Sequence, residues 1–496
     1  MEWLGGETGK NTGTLNTQVE AGVDPVAIQP RVSHAVLLTS AQVARGLVRL
    51  LFVLVVARSF GPEQFGVYAL LLALVEILAV ASGSGYADYL TREAAKDARL
   101  GWGLGFQLVW LRLGCLVPFA GIGLGILWLL GYPRIVLVAA AWLTVSLAPR
   151  SVSEAVQGVL RGVGCYGAYL SIELVFDLGL LCGAAFLLAR GGSLTVVIGT
   201  EIIAAVVAAA LGVIFALMFC PKERIRLKTK QLLGKSAIFN VYAFAVNLYD
   251  RLDVVLLSKL AGAYATGIYS AAYRPLGTIQ LVAYGVLYSL LPALSRGAQA
   301  ERERLEKAMG LLLSAAFVVV LVTMVYAGPA VTLLFGAAYA ESAMALKILI
   351  WAVILRYVNF ALNIRLLADG HERVFVVTSL VCLGVNVVGN LIFIPLYSWK
   401  AAAAVTIVTE FALLVQNVYW LRRTVGAVPK PVGLVQTSLV FAALVVVWFA
   451  GGRMASPLLI GSACVLFFLG YLYRAGMIGV FAAVWGTERN VGGLSS

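Results

Sequence analysis

The stretch GPEQFGVY at residues 61–68 lies at the junction of two long apolar runs, 33–59 and 65–86. Apolar runs of this kind recur along the whole chain, separated by short polar breaks. About 20 apolar residues in an α-helix span the roughly 30 Å of hydrocarbon in a bilayer. Because the runs do not alternate apolar and polar residues, they do not fit the strands of a membrane barrel. The sequence therefore predicts an all-α integral membrane protein.

Composition supports this class. Of the 496 residues, 61% are hydrophobic and 12% are charged, and the mean hydropathy is +0.93. Soluble domains carry about 25% charged residues, roughly twice this fraction. We predict about fourteen transmembrane helices, at 33–59, 65–86, 102–130, 135–157, 167–189, 194–219, 236–261, 266–293, 309–335, 341–368, 374–396, 400–421, 432–451 and 456–474.

The opening stretch has a second copy. Residues 61–68 and 262–269 share the pattern Gly-x4-Gly-x-Tyr at a constant offset of 201 residues. Internal repeats are a common plan in transporters, with the substrate bound between the halves. We predict two pseudo-symmetric six-helix bundles plus two C-terminal helices, divided as a disordered cytoplasmic tail at 1–32, an N-terminal bundle at 33–219, a basic cytoplasmic linker at 220–235, a C-terminal bundle at 236–423, helices 13 and 14 at 432–474 and a cytoplasmic tail at 475–496.

The formal net charge of +13 follows the predicted topology. Loops after even-numbered spans hold 18 Lys and Arg residues, and loops after odd-numbered spans hold 6. Basic residues concentrate in cytoplasmic loops, so even loops and both termini are expected in the cytoplasm. The positive charge is thus a membrane-topology signal, and we expect no nucleic-acid partner.

Enzymatic activity is disfavoured by the loops. Those on the predicted outer face are short, and the sequence has no GxSxG, HExxH or Walker motif and no external Asp-x-Asp pair. The six cysteines are scattered without a CxxC pair, and the two histidines are far apart. We therefore predict no catalytic residue, no metal site and no cofactor, and a transporter rather than an enzyme or a scaffold.

Charges within the apolar runs are the candidate site residues. A charge at a helix centre costs about 2.5–3.5 kcal/mol on insertion scales, so such residues usually face a protein or water-filled interior. Arg45 and Arg49 are four residues apart and share a helix face. Arg49 and Arg251 lie at comparable distances before the glycines that open the two repeats, close to mid-membrane, and Asp250 and Asp253 flank Arg251. This predicts a central cavity with cationic groups for an anionic substrate.

Each assignment has a structural alternative. Arg251 could pair with Asp250 or Asp253 and only hold helices together, and Arg45 could extend to the cytoplasmic interface. Arg274 is a further cavity candidate, with a contact to helix-end carbonyl groups as its alternative. Glu173 and Asp177, four residues apart on one helix face, could neutralise buried arginines or carry a coupling proton. Arg112, Arg150 and Arg356 are weaker cavity candidates.

Three motifs resemble those of bacterial Wzx-type polysaccharide flippases. ARSFGPEQFGVY at residues 57–68 is similar to the ARxLGPExFGxY of that family, and YDRLD at 249–253 followed by GIYSAAYR at 267–274 resembles its second-half signature. Asn386, Asn390, Pro395 and the alanine run 401–404 resemble NxxxNxxxIPxxGxxGAA. The resemblance covers most of residues 33–425. At 398–400 the chain has Ser-Trp-Lys where the family usually has glycine-containing turns, which leaves the loop conformation open.

The resemblance implies membership of the multidrug/oligosaccharidyl-lipid/polysaccharide exporter superfamily. Its members carry undecaprenyl-diphosphate-linked oligosaccharides across the cytoplasmic (inner) membrane by alternating access, for surface polysaccharide biosynthesis. Cavity arginines would then face the diphosphate or acidic sugars, and the carrier tail would stay among the membrane lipids. The resemblance also implies coupling to a proton or sodium gradient. A lipid II flippase of the same fold and a multidrug cation antiporter remain as alternatives, and the mid-membrane arginines argue against the antiporter.

Overall fold

The computed structural model describes residues 32–83, 86–221, 229–294, 299–451 and 456–476. The predicted tails, 1–32 and 475–496, lie outside the described residues apart from residue 32 and residues 475–476, and so does the 222–228 part of the predicted linker. Across the described ranges the secondary structure is helical, without a β-strand. The helices are α1 (Val32–Ala81), α2 (Tyr86–Lys96), α3 (Ala98–Leu129), α4 (Arg134–Val145), α5 (Leu147–Gly162), α6 (Tyr166–Leu188), α7 (Leu194–Phe219), α8 (Thr229–Leu294), α9 (Gln299–Phe335), α10 (Ala340–Leu349), α11 (Trp351–Ala368), α12 (Glu372–Tyr397), α13 (Trp399–Thr424), α14 (Leu434–Gly451) and α15 (Pro457–Arg474), with a short 3-10 turn at Ala337–Tyr339.

Two of these helices are interrupted by a glycine with non-helical backbone angles. Helix α1 contains Gly61 with φ 72° and ψ 176°, and α8 contains Gly262 with φ 87° and ψ 175°. L-residues rarely adopt such angles, whereas glycine does so at little steric cost. In the described residues, twelve helical stretches are long and apolar enough to cross a membrane. Dividing the two that contain these glycines gives fourteen apolar segments, which confirms the predicted number.

Three differences from the predicted spans change the number of helices. The predicted span 341–368 is divided into α10 and α11, and the predicted span 135–157 is divided at Ser146 into α4 and α5. Helix α2 was not predicted; it is too short to span a bilayer, and it packs one face against α5. There the Thr91 Oγ1 hydroxyl donates a hydrogen bond of 3.0 Å to the Gly158 carbonyl.

The helices pack as two groups. Helices α1–α7 contact mainly one another, helices α8–α13 do the same, and the largest contact between the groups is that of α1 with α8. Helices α14 and α15 pack on α9, where the rings of Phe317 and Phe441 stack with centroids 4.4 Å apart. Buried Phe468 contacts both rings. This is the all-α architecture of two six-helix bundles with two further helices.

Ser398, in the turn between α12 and α13, has φ 53° and ψ −137°. It is the one non-glycine residue with positive φ in the described ranges. The loop thus adopts a backbone conformation that glycine tolerates better than serine does. The turn keeps a glycine-like conformation although the sequence lacks the glycine there.

Candidate functional site

Two arginines of α1 share one carboxylate of α6. The Arg45 Nε lies 2.8 Å from one Asp177 carboxylate oxygen, and the Arg49 Nε lies 2.8 Å from the other. Arg45 also contacts Glu173. The Asp177 side chain is fully buried, whereas 52% of the Arg49 side chain is exposed. The four-residue spacing of both pairs brings them onto facing helix surfaces, and Arg49 keeps an accessible guanidinium face.

Arg251 pairs across the two helix groups. Its guanidinium contacts the Glu76 carboxylate of α1, and both side chains are partly exposed. In the described ranges the ion pair of Arg251 is with Glu76 and not with the flanking Asp250 or Asp253. Residues one or two positions apart on a helix point to different faces, and the two flanking aspartates contact Arg356 and Tyr269 instead. Arg251 instead joins the second half to the first.

Asp250 belongs to a different network, centred on Arg356 of α11. The Arg356 Nε lies 2.6 Å from Glu410 Oε1, and Arg356 Nη2 lies 3.3 Å from Asp250 Oδ1. Nη2 also donates a hydrogen bond of 2.9 Å to the Tyr273 hydroxyl. The Asn359 side-chain amide donates a hydrogen bond of 3.1 Å to Glu410 Oε2. A cavity of about 100 Å³, with both polar and apolar lining, borders Asp250, Arg356 and Glu410.

Asp253 is held by a tyrosine of the repeat motif. The Tyr269 hydroxyl donates a hydrogen bond to Asp253 Oδ2, and the Val254 amide donates one of 2.7 Å to Oδ1. Asp253 is 2% exposed. In the first half the equivalent tyrosine, Tyr68, instead packs edge-on against Phe52, with ring centroids 6.3 Å apart. Phe52 stands at the position equivalent to Asp253, so this network exists in one half only.

Arg274 differs from the other predicted site arginines. Within the described ranges it has no carboxylate within ion-pair distance, although it is only partly exposed. The charges of Glu76, Arg251 and Arg49 all act on it. An arginine without a direct acidic partner among these groups is available to an anion.

These side chains form a cluster between the two halves, which we term the arginine cluster. It holds four arginines and two glutamates, and the Glu76 and Glu201 carboxylates both interact electrostatically with Arg49, Arg150 and Arg274. Arg150 is also 3.6 Å from Glu201. The members of the cluster are Arg49, Arg150, Arg251, Arg274, Glu76 and Glu201.

The sequence-based site list missed several partners. Glu76 and Glu410 were recognisable as single carboxylates in apolar runs, but nothing local indicated which arginine each one meets. Arg356, a weaker candidate from the sequence, is the centre of the polar network of the second half. In the part of the chain that is described, no group of three or more His, Cys, Asp or Glu side chains is arranged to hold a metal ion.

The profile of a family described as polysaccharide biosynthesis protein matches residues 32–298. No curated protein matches the chain. Among solved structures, a lipid II flippase, MurJ, in an inward closed conformation is similar with a TM-score of 0.66 at 14% identity, covering 89% of this chain and 99% of that one.

Two further structures are similar in fold. An inward-facing multidrug resistance MATE family transporter of the MOP superfamily has a TM-score of 0.61 at 14% identity, covering 77% of this chain and 94% of that one. A MOP superfamily transporter from Pyrococcus furiosus, described as having a binding pocket of reverse polarity, has a TM-score of 0.58 at 14% identity, covering 79% and 95%. At these identities the likeness concerns the fold.

Proposed function

The chain belongs to the family of polysaccharide biosynthesis proteins, and from that membership we propose that it is a flippase for undecaprenyl-diphosphate-linked oligosaccharides. It is a multi-pass membrane protein, and we place it in the cytoplasmic membrane with both termini in the cytoplasm, as the bias of 18 to 6 basic loop residues favours. The two six-helix halves, 33–219 and 236–423, would rock against each other in alternating access.

The arginine cluster carries the proposal. Its members lie on α1, α5 and α7 of the first half and on α8 of the second half, and the ion pair of Arg251 with Glu76 links the two halves. Arginine presents a planar fork of donors that matches phosphate oxygens, and such charge-assisted hydrogen bonds are about twice as strong as neutral ones. Arg274 has no carboxylate within ion-pair distance in the described ranges, and about half of the Arg49 side chain is exposed. We assign the diphosphate of the carrier to these two arginines, with Arg251 beside them.

The carboxylates fit a supporting role. Both oxygens of Asp177 are occupied by arginines, and Glu173 contacts Arg45. This supports Glu173 and Asp177 as charge partners over a role as proton carriers. In this proposal the diphosphate is not bound by Asp250, Asp253 or Arg45, which lie beside the substrate path. We also propose that a proton or sodium gradient drives the alternating access.

Two alternatives share parts of this chemistry. A lipid II flippase would use the same carrier diphosphate, and one similar structure is described as such. A multidrug cation antiporter would need a site that attracts cations, whereas an arginine without a carboxylate partner repels them. The cluster therefore favours a lipid-linked anion.

The test is translocation in proteoliposomes supplied with an undecaprenyl-diphosphate oligosaccharide. A hydrogen bond to a charged group contributes about 1.5–3 kcal/mol, so Arg274→Ala is expected to slow translocation by roughly 10- to 100-fold. Arg274→Lys, which keeps the charge but not the fork, should recover part of the rate. Arg134→Ala serves as the matched control, because Arg134 is exposed at the start of α4.

The outcomes separate the candidates. Equal rates for Arg274→Ala and Arg134→Ala would remove the arginine from the substrate site while keeping the flippase. Transport of lipid II in preference to the oligosaccharide would support the first alternative. Efflux of a small organic cation without movement of any lipid-linked sugar would overturn the proposal in favour of the antiporter.

A further inference from the structure

The two copies of the repeat motif touch each other through glycines. A Cβ atom placed on Gly66 would lie 1.8 Å from the carbonyl oxygen of Ala263, and one placed on Gly267 would lie 1.8 Å from the carbonyl oxygen of Pro62. Both glycines are buried. The obstructing atoms belong to the backbone, so no change of side-chain rotamer relieves the overlap. The observed contact therefore requires glycine at both positions.

The contact is reciprocal. Gly66 and Gly267 are equivalent in the two repeats, and so are Pro62 and Ala263, at the same offset of 201 residues. Each of the latter two follows a glycine with positive φ, where α1 or α8 departs from helical geometry. The two helix breaks thus meet at a local pseudo-two-fold axis, where backbone lies against backbone.

Other contacts join the two halves at the same end of the helices. Tyr339 packs its ring against Phe65, with centroids 6.2 Å apart. Four side-chain hydrogen bonds also cross from one half to the other here: the Tyr339 hydroxyl donates to the Ala57 carbonyl at 2.9 Å, Arg58 Nη2 donates to the Leu333 carbonyl at 3.0 Å, the Tyr132 hydroxyl lies 3.1 Å from the Ser258 hydroxyl, and Lys259 donates to the Leu130 carbonyl.

A sealed layer lies behind the glycine contact. Phe65, Tyr68, Ile268 and Tyr269, which directly follow the two breaks, have no exposed surface. A substrate cannot pass between the halves at this end while these side chains and the glycine contact stay in place. Both breaks follow odd-numbered spans, which the distribution of basic residues puts on the outer side.

We propose that the reciprocal contact of Gly66 with Ala263 and of Gly267 with Pro62 is the outer gate of the transport path. The two backbone segments touch while the path is closed to the outside, and they separate to release the substrate. The proposal rests on the transport function and orientation given above. A side chain at either glycine obstructs the closed gate and has no such obstacle once the segments part, so it shifts the protein towards the outward-open state.

The first test measures closure without any substrate. Thr266 lies next to Gly267 and has no exposed surface. In a cysteine-free background, Thr266→Cys should react slowly with a membrane-impermeant thiol reagent added from outside. Adding Gly66→Val should raise the labelling rate at least about tenfold, since overpacking against backbone shifts the equilibrium by that order. The milder Gly267→Ala should change it in the same direction.

The matched control is Gly277→Val. Gly277 is a helical glycine of α8 and has no heavy atom within 4 Å of its Cβ position. It should leave the labelling of Thr266→Cys unchanged. Unchanged labelling in both Gly66→Val and Gly267→Ala would overturn the gate, and so would an equal increase in the Gly277→Val control.

A second test links the gate to transport. Pro62→Cys and Ala263→Cys, joined by a short bifunctional thiol reagent, should stop translocation, and a cleavable reagent should restore it on reduction. Full-rate translocation through the linked pair would refute the gate and leave the flippase intact. If the labelling results hold but no lipid-linked sugar moves in any variant, the gate stands and the proposed substrate fails.

Discussion

Arg356→Met should destabilise the protein more than the loss of any surface ion pair. The Arg356 and Glu410 side chains are 7% and 5% exposed, with Nε and Oε1 2.6 Å apart. In the described ranges, removing the guanidinium leaves the Glu410 carboxylate with the Asn359 amide as its remaining hydrogen-bond donor, and it also removes the contact with Asp250. Breaking a buried pair in this way costs about 3–5 kcal/mol, because an uncompensated charge stays in the interior.

The double variant Arg356→Met/Glu410→Leu tests whether the loss of stability comes from the unpaired Glu410 charge or from the absence of the ion pair itself. It removes both charges, and replacing a buried ion pair by apolar side chains of similar volume is often close to neutral. The free energy of unfolding should therefore recover most of the loss seen with Arg356→Met. Unfolding in mixed micelles, followed by the fluorescence of the ten tryptophans, gives both values.

A surface pair supplies the control. Lys96 and Glu93 lie 2.8 Å apart, but the Lys96 side chain is 55% exposed. Such pairs contribute about 0–1 kcal/mol, so Lys96→Met should change the stability by no more than that. The reasoning fails if Arg356→Met costs less than about 1 kcal/mol, or if the double variant loses the sum of the two single losses.

Cysteines that replace Arg49 and Arg251 should both react with water-soluble thiol reagents in permeabilised cells. Arg49→Cys should react faster, because the Arg49 side chain is 52% exposed and the Arg251 side chain is 27% exposed. Protection of both cysteines would show that neither position lines a water-filled path. Reporters fused after Lys230 and after Arg423 should both be cytoplasmic, and an external signal from either would reverse the topology. Phe441→Ala should lower the thermal stability of the purified protein, because each aromatic pair that is lost contributes about 0.5–1.5 kcal/mol to the free energy of unfolding. An unchanged melting temperature would show that other contacts hold α14 and α15.

The helical architecture was predictable because the bilayer imposes one length on every span. The apolar runs alone gave about fourteen spans, and the repeat gave the positions of the two breaks at Gly61 and Gly262. Helix α2 was missed because it lies in a polar loop, although its buried Tyr86, Tyr89 and Leu90 have helical spacing. A search for amphipathic periodicity inside loops would have found it.

The ion pairs were not predictable from sequence. Glu76, the partner of Arg251, belongs to the other half of the chain, and sequence proximity pointed instead to Asp250 and Asp253. A helix directs neighbouring side chains to different faces, so a partner is set by packing between helices rather than by separation along the chain. The charged residue types in apolar runs indicated that a site exists, and only the fold indicated which groups meet.

The reciprocal glycine contact has the form of an isologous dimer interface, in which residue i of one copy meets residue j of the other and the reverse also holds. In a chain with two copies of one motif, this symmetry holds where both copies carry the residue that the contact requires, as at Gly66 and Gly267. Elsewhere the copies differ: Phe52 contacts Tyr68 at the position where the second half has Asp253 bound to Tyr269. In a symmetric homodimer of one half, the two equivalent tyrosines would either both bind a buried carboxylate or both lack one. In this chain Tyr269 binds one and Tyr68 does not.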